Sequence, residues 1–158
     1  QTATIQLDYQ LPARFGLKFI NKNNEEEMPI VVHRAIYGSF ERFFAILIEH
    51  FGGNFPTWLA PVQARVLTIS ERFEDYADEV YQALARDGIR AERDFSAEKI
   101  GSKIREGRLK RIPYLLIVGE KEKENRSVSV RSQKEGDLGV MSLDAFRERI
   151  GNEKTARY

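Results

Sequence analysis

The sequence contains no cysteine and only one tryptophan, two methionines and two histidines among its 158 residues. Without cysteine the chain forms neither disulfide bonds nor thiolate metal sites, and this composition is typical of a reducing compartment. No apolar run approaches the roughly 20 residues of a membrane-spanning helix, and the opening "QTATIQLDYQ" has neither segment of a signal peptide. We therefore expect a cytoplasmic protein with no membrane partner. The missing initiator methionine predicts a piece of a longer polypeptide.

The chain also lacks an excess of charge of either sign. Lysine and arginine number 25 against 24 acidic residues, which gives a net charge of +1. Any attraction for a polyanion must therefore come from local clustering of basic side chains. Hydrophobic residues make up 42% and charged residues 31% of the sequence, which is typical of a globular chain and not of a disordered tail.

The first 52 residues predict two strand-like segments and a helix. The segments "TIQLDYQL" and "IVVHRAI" are separated by the polar loop "NKNNEEEMP". Six apolar side chains then recur at the spacing of one helical face: Phe40, Phe43, Phe44, Leu47, Ile48 and Phe51. Gly52 and Gly53 are expected to end this helix.

Beyond a linker rich in glycine and proline, residues 53–60, strands alternate with helices. The segments "ARVLTIS", "IRAERDF", "IPYLLIVGE" and "RSVSVRSQ" predict strands. Helices are predicted between the first three of these strands and again after Ser142, which would serve as an N-cap. The charged segment "GEKEKENR" is expected to be a solvated loop. This order predicts βαβ units, with a mostly parallel sheet that carries helices on its faces.

Arg42 is the first candidate for chemistry. It lies two positions after Phe40, about 200 degrees around the helix, and so projects away from the apolar face. Its neighbours on that side are small or apolar, so we interpret it as lining a cavity where a guanidinium clamps phosphate or carboxylate. The alternative is a surface arginine paired with Glu41 or Glu49.

His33 ends the apolar run "PIVVH", where a buried, hydrogen-bonded histidine is the more common finding. The functional alternative is a metal ligand. The sequence around it provides no cysteine, and one histidine does not make a metal site.

The segment from Lys99 to Arg111 is the most basic part of the chain. It carries six basic side chains against Glu106 alone, a local net charge of +5. Such a segment predicts a surface that follows a phosphate backbone. A solvated helix face balanced by the acidic "EDYADE" explains the same charges equally well. No Walker loop, dinucleotide glycine fingerprint or nucleophile elbow is present in the sequence.

An ordered set of segments along nearly the whole chain resembles the class II aminoacyl-tRNA synthetases, and among them the threonine-specific family. They are "TIQLDYQLPARF", "HRAIYGSFERFFAILIEH", which resembles motif 3, "GNFPTWLAPVQ", "EKIGSKIREGRLKRIPYLLIVGEKE", "VSVR" and "GDLGVMSLDAF". The resemblance implies an α/β chain in which residues 1–52 end a catalytic domain through antiparallel strands and the motif 3 helix. Residues 61–158 would form an anticodon-binding domain with a mixed, mostly parallel sheet.

In the catalytic part, the family's roles carry over onto five positions. The resemblance implies that His33 is a zinc ligand, that Ser39 lines the threonine pocket, and that Arg42 contacts the ATP phosphates. Gln1 and Thr4 resemble residues beside the adenylate.

In the anticodon-binding part, Glu122 and Arg131 match residues that read anticodon bases. The resemblance places the basic helix near the RNA backbone, through Lys99, Lys103, Arg105 and Arg108.

The implied activity is ATP-dependent attachment of threonine to its tRNA by a homodimer that uses ATP, magnesium and zinc. Motifs 1 and 2 and the other zinc ligands are absent from this chain, so we expect it to be inactive alone and to hold no cofactor.

Three positions depart from the family's pattern. Thr2 and Ala3 stand where a small or cysteine residue and a glycine are usual, and Ala97 stands where asparagine is common. These changes keep open a second interpretation, a non-catalytic synthetase-like RNA-binding or regulatory protein. A generic α/β interaction domain fits the periodicity but not the motifs.

Overall fold

The computed structural model of the protein describes residues 3–155, except for the side chain of Lys154. The chain divides into two units, Gln1–His50 and Phe51–Tyr158, which are described separately below. Among the described residues, no helix combines the length and the apolarity needed to cross a lipid bilayer.

The first unit is built on two antiparallel strands. Its elements are β1 (Thr4–Asp8), α1 (Gln10–Phe15), β2 (Phe19–Ile20), β3 (Glu26–Glu27), β4 (Val31–Ala35) and α2 (Phe40–Phe51), whose last residue opens the second unit. Strand β1 pairs with β4, and β2 pairs with β3, both antiparallel. Pro12 is the one buried residue among those described in this unit, so its apolar side chains form no closed core there.

Helix α2 has the predicted bounds, but its apolar face is not buried by the described residues of its own unit. Phe40 is 74% exposed and Phe44 57% exposed, while Phe43 and Leu47 are half-buried. The strand predicted from "TIQLDYQL" is also shorter than expected. It ends at Asp8, because the Asp8 carboxylate accepts the backbone N–H groups that start α1.

In the described part of the second unit there are five strands, four α-helices and one 3₁₀ turn, Glu71–Phe73. The strands are β5 (Ala64–Thr68), β6 (Ala91–Asp94), β7 (Tyr114–Val118), β8 (Ser127–Ser132) and β9 (Gly136–Ser142). The helices are α3 (Glu74–Arg86), α4 (Ile100–Leu109), α5 (Glu120–Glu124) and α6 (Leu143–Thr155). The sheet order is β6-β5-β7-β8-β9, with β6 and β7 parallel to β5, and β8 and β9 antiparallel to their neighbours. The predicted mixed α/β fold is confirmed.

The two faces of this sheet carry layers of different size. Tyr114, Leu116 and Val118 of β7 point into the larger core, to which α3 and α6 contribute Val80 and Phe146. The alternate residues of β7, including Leu115, join a small cluster on the other face, where α4 packs. Strand β7 is therefore buried on both faces, which explains its unbroken apolar sequence.

Two elements of the second unit differ from the sequence-based expectation. Residues 120–124 form α5 instead of a loop, because the Glu122 side chain returns to accept the Gly119 backbone N–H at 3.0 Å. Strand β9 was not predicted, since Gly136 and Gly139 interrupt its sequence with positive φ angles. Its pairing with β8 contains an irregularity between Val130 and Arg131.

Candidate functional site

In the first unit, His33 and Asp8 form a hydrogen-bonded pair. The antiparallel register of β1 and β4 brings the two strands together, and His33 Nε2 lies 2.9 Å from Asp8 Oδ2. The pKa of the Asp8 carboxyl is lowered, first because the Leu11 backbone N–H donates to it and then because His33 does. His33 is therefore half-exposed and paired, and not buried as its position after an apolar run predicted.

The described residues contain no group of three or more metal-ligating side chains. His33 alone does not fit a zinc ion, which in proteins takes three or four ligands. Any zinc site that uses His33 would therefore need side chains from beyond residues 3–155.

The other candidates of the first unit lie around the start of α2 and on β1. Ser39 Oγ accepts the Arg42 backbone N–H at 3.3 Å, which caps the helix, and both residues are exposed. Thr4 lies opposite Ala35 in the β1–β4 pair. The predicted position Gln1 lies outside the described residues.

In the second unit, the carboxyl ends of three parallel strands meet at one edge of the sheet. Thr68 of β5 is in register with Val118 of β7, and β6 ends beside it at Asp94. Glu122 follows this edge directly, in the first turn of α5. Its Oε2 caps the helix, and its Oε1 has no hydrogen-bond partner within residues 3–155, so it can accept a further donor.

Beside this edge lies half of a sheet face that no described helix of the second unit covers. Helix α4 packs on this side against Leu67 of β5 and Leu115 of β7. The same side of β8 and β9 is formed by side chains that are half-buried or exposed: Ser129, Arg131, Asp137 and Val140. We call these four residues the open face.

Arg131 is the charged donor of the open face. One of its terminal nitrogens lies 3.3 Å from Asp137 Oδ2, while its Nε is buried and has no partner among the described residues. Arg131 is in register with Leu115, four residues before Gly119, or roughly 13 Å along an extended strand. Arg131 and Glu122 are thus placed to contact different parts of a bound molecule.

Lys103 is not a surface residue, and its predicted role beside the RNA backbone is wrong. It is 1% exposed, and its Nζ donates to the carbonyl oxygens of Thr68 at 3.0 Å and Asp94 at 3.2 Å. It lies on the inner side of α4, as do Ile104 and Gly107. A side chain so enclosed cannot reach a phosphate in solution.

The remaining cations of this segment do not form one surface either. Lys99, Arg105 and Arg108 are exposed, and the last two lie on the outer side of α4. Lys110 is paired with Glu106 at 2.6 Å. We define the exposed basic stripe as Lys99, Arg105 and Arg108; Arg111 is also exposed but lies beyond the end of α4.

A second buried cation, Arg65, was missed by the sequence analysis. Its Nη2 lies 2.6 Å from Glu92 Oε2 and its Nη1 lies 3.4 Å from Glu106 Oε1, so it ties β5 to β6 and to α4. The sequence feature that could have revealed Arg65 is an arginine inside the predicted buried strand "ARVLT".

The open face could also have been found from the sequence, because "SVSVRS" alternates small polar or charged residues with valine.

Comparison with known families follows the division of the chain. Residues 63–153 match the anticodon binding domain, and residues 1–51 match the class II tRNA synthetase core domain of the Gly, His, Pro, Ser and Thr enzymes. The chain belongs to the anticodon-binding domain family of the aminoacyl-tRNA synthetases. Within it, the similarity is to the threonine–tRNA ligases, which confirms the predicted resemblance.

Two curated relatives illustrate this similarity. The chain is 58% identical to the threonine–tRNA ligase of Caldanaerobacter subterraneus subsp. tengcongensis and 54% identical to that of Syntrophomonas wolfei, each over 153 residues. In both cases the match covers 97% of this chain but 24% of the relative. The chain thus spans about a quarter of the length of these enzymes.

Solved structures agree with this assignment. The RNA-binding domain of the threonyl-tRNA synthetase of Cryptosporidium parvum superposes with a TM-score of 0.80 and 39% identity, over 97% of this chain and 39% of that chain. A prolyl-tRNA synthetase of the same organism gives a TM-score of 0.73 at 22% identity, over 98% and 33% of the two chains. The second match reflects the shared fold alone.

Proposed function

We propose that this chain is the C-terminal part of an ATP-dependent threonine–tRNA ligase of the cytoplasm, and that its second unit binds the anticodon of the threonine tRNA. In this proposal residues 1–52 end the catalytic domain, residues 53–60 are the linker and residues 61–158 are the anticodon-binding domain. The observation that carries the proposal is the open face, where a buried guanidinium N–H of Arg131 has no partner among the described residues.

Glu122 and Arg131 have the hydrogen-bonding groups needed for the two bases that threonine anticodons share. These anticodons have G and then U at their second and third positions. The free oxygen of Glu122 can accept from the N–H groups of guanine, and Arg131 can donate to a base carbonyl oxygen. Both side chains are half-buried and anchored, Glu122 by Gly119 and Arg131 by Asp137. Anchored groups lose little further freedom when a base binds.

The basic stripe supplies attraction without base selection. Arg105 and Arg108 lie on α4 and Lys99 directly precedes it, and this helix packs on the same side of the sheet as the open face. Phosphate contacts of this kind position a nucleic acid and make its affinity depend on salt.

For the first unit, we propose the roles that the resemblance implies in the complete, homodimeric enzyme. Arg42 would contact the ATP phosphates, Ser39 the bound threonine, and Gln1 and Thr4 the adenylate. His33 would supply one zinc ligand, with its ring oriented by Asp8. The described residues do not fit zinc by themselves. Magnesium would accompany ATP.

A non-catalytic synthetase-like RNA-binding protein is the second candidate. It is favoured by the exposed Ala97 in the loop after β6, which cannot supply the side-chain hydrogen bond of an asparagine. This candidate differs from the first in expecting no preference among anticodons.

The test is binding of the chain to a threonine anticodon stem-loop and to loops with the second and third anticodon bases exchanged, at two salt concentrations. A preference for the threonine loop that persists at the higher salt concentration supports base reading. Arg131→Ala should remove the preference at one base. Arg147→Ala is the matched control, because Arg147 is also paired with an aspartate but lies on α6.

Equal and salt-sensitive binding to all loops would contradict base reading and favour the second candidate. The same conclusion follows if Arg131→Ala weakens binding to every loop by the same factor.

A further inference from the structure

A cavity of about 290 Å³ opens in the second unit, where β7 begins and β8 ends. Its apolar walls are the rings of Phe55, Pro56 and Trp58, of Pro113, which precedes β7, and of Tyr114, the first residue of β7. Its volume is close to the lower limit of roughly 300 Å³ for small-molecule sites. It lies at the opposite end of β7 from Glu122, and no role proposed above uses it.

The walls of this cavity are fixed by hydrogen bonds. Glu153 of α6 accepts from Thr57 Oγ1 at 2.6 Å and also from the Tyr114 hydroxyl. The backbone N–H of Gln133 donates to the Pro113 carbonyl oxygen at 2.8 Å, which holds the turn after β8 against β7. The cavity is therefore preformed by four chain segments.

The charges around the cavity leave two cations without an acidic partner in the described part of the chain. The carboxylate of Glu135 pairs with Arg149, and that of Glu153 is used by the hydrogen bonds above. Arg111 and Lys134 also line the cavity, and neither forms an ion pair within residues 3–155. The cavity thus combines aromatic walls with two available positive charges.

Arg111 is held in an unusual conformation at this position. Its φ angle of 54 degrees lies in the left-handed region, which costs free energy for a residue with a side chain. Its side chain lies over Gly53, where an added β-carbon would be 3.2 Å from Arg111 Cδ. Strained backbone of this kind is concentrated at ligand sites.

We propose that this cavity binds one nucleotide of single-stranded RNA, with the base stacked on Trp58 and its phosphate held by Arg111 and Lys134. An aromatic platform beside cations is the pattern by which proteins bind single nucleotides. A purely apolar ligand would leave both cations unused, and an inorganic anion would leave the aromatic walls unused. The inference rests on the proposed function only in taking RNA as the source of the nucleotide.

The chain order supports RNA as that source. Lys134 follows Arg131 by three residues, so the turn that ends the open face also forms the rim of the cavity. The cavity walls Tyr114 and Glu153 lie on the opposite face of the sheet from Arg131, so an RNA strand bound at Arg131 would reach Lys134 by passing round this end of the sheet.

Trp58 makes the inference directly measurable, because it is the single tryptophan of the sequence. We expect adenosine 5′-monophosphate to quench its fluorescence saturably, with excitation at the red edge of the indole band, where adenine does not absorb. Adenosine and ribose 5-phosphate each supply half of the recognised chemistry and should bind at least tenfold more weakly.

Substitutions distinguish the effect of the two cavity cations from the effect of removing any positive charge. Arg111→Met and Lys134→Met should each raise the dissociation constant for adenosine 5′-monophosphate about tenfold, the loss expected for one charge-assisted hydrogen bond. Arg86→Met, which removes an exposed cation of α3, should leave it unchanged. An unaltered unfolding midpoint in each variant shows that the cavity is still folded.

Absence of quenching in the wild-type chain would overturn the inference, and so would equal effects of Arg86→Met and Arg111→Met. The threonine anticodon stem-loop forms the second arm, with its binding followed by a fluorophore on the RNA. Quenching of Trp58 on stem-loop binding supports an RNA nucleotide in the cavity. Stem-loop binding that leaves the Trp58 fluorescence unchanged would exclude an RNA nucleotide in the cavity. This would hold even if the stem-loop experiment had supported anticodon reading.

Discussion

The ammonium nitrogen of Lys103 lies 3.0 Å from the carbonyl oxygen of Thr68, in the interior of the second unit. It also bonds the Asp94 carbonyl oxygen, so one side chain joins the ends of β5 and β6. Lys103→Met would leave these carbonyl groups unpaired, and we expect the free energy of unfolding to fall by about 2–4 kcal/mol. Denaturant unfolding at equilibrium measures this change.

Lys110→Met is the control for this variant. Lys110 is an exposed residue following the same helix, and it makes a surface pair with Glu106, so its loss should cost less than about 1 kcal/mol. Equal destabilisation by the two variants would contradict a structural role for Lys103.

The basic stripe should control the salt dependence of RNA binding. Removal of Arg105 and Arg108 by a double alanine substitution is expected to lower the slope of log K against log salt concentration by about 0.7 for each phosphate that is no longer neutralised. Base preference should stay unchanged, because these side chains lie on the outer side of α4 and not on the open face. Titrations with cognate and exchanged stem-loops at several salt concentrations measure both quantities. A change of base preference in this variant would show that α4 does more than attract phosphates.

Gly107 sets the distance between α4 and the sheet. A β-carbon at Gly107 would lie 2.6 Å from a methyl carbon of Leu115. Gly107→Ala should therefore destabilise the chain by about 1–3 kcal/mol through overpacking, as measured by urea unfolding. Gly101 is a matched control on the same helix, since an added β-carbon there meets no described atom within 4 Å. Gly101→Ala should be neutral or stabilising; destabilisation by both variants would argue for a general intolerance of α4 to alanine.

Tyr114 should make the second unit sensitive to alkaline pH. Burial, and then the hydrogen bond to Glu153, raise the pKa of Tyr114 from 10.0 to about 12. Because the folded-state pKa is the higher one, the associated stability is complete below pH 10 and is lost as the pH rises from 10 to about 12. Unfolding experiments across this range, with tyrosinate absorbance, test the expectation. Tyr114→Phe should show a smaller loss over the same interval, and an identical loss would assign the effect to other groups.

The chain alone should not activate threonine. The described residues of its first unit contain one zinc-ligand candidate, His33, and one candidate for contact with the ATP phosphates, Arg42; both are exposed, and no group of three metal-ligating side chains includes His33. Threonine-dependent exchange between ATP and pyrophosphate is the measurement, with a full-length threonine–tRNA ligase as the positive control. Exchange by the purified chain would refute this prediction.

Much of the second unit could be predicted from sequence because its strands are short apolar runs between helices of clear periodicity. "YLLIV" and "ARVLT" predicted buried strands, and Ser142 was correctly predicted to cap α6, where its Oγ accepts the Ala145 backbone N–H. These features depend on local spacing, which a single sequence displays directly. Strand β9 was not predicted, because two glycines within "GDLGVMS" are more typical of a loop than of a strand.

The burial of charged side chains was not predictable in the same way. Lys103, Arg105 and Arg108 are basic residues of the same basic segment. Only the packing of α4 on β5 decides which of the three points inward. In the first unit, the apolar spacing and the two following glycines predicted the bounds of α2 but not its exposure, since a helical periodicity shows that an apolar face exists and not which surface covers it.

Helix α4 is fastened to the sheet by a small apolar cluster and by the two internal cations Lys103 and Arg65, whereas α3 and α6 share the large core. Stability within a domain is uneven in proportion to such differences. In native-state hydrogen exchange, the amides of α4 would open at lower free energy than those of α3. A nucleic acid that contacts α4 would then bind the closed form selectively, so slower exchange in this helix would accompany binding even where no atom of the RNA touches its amides.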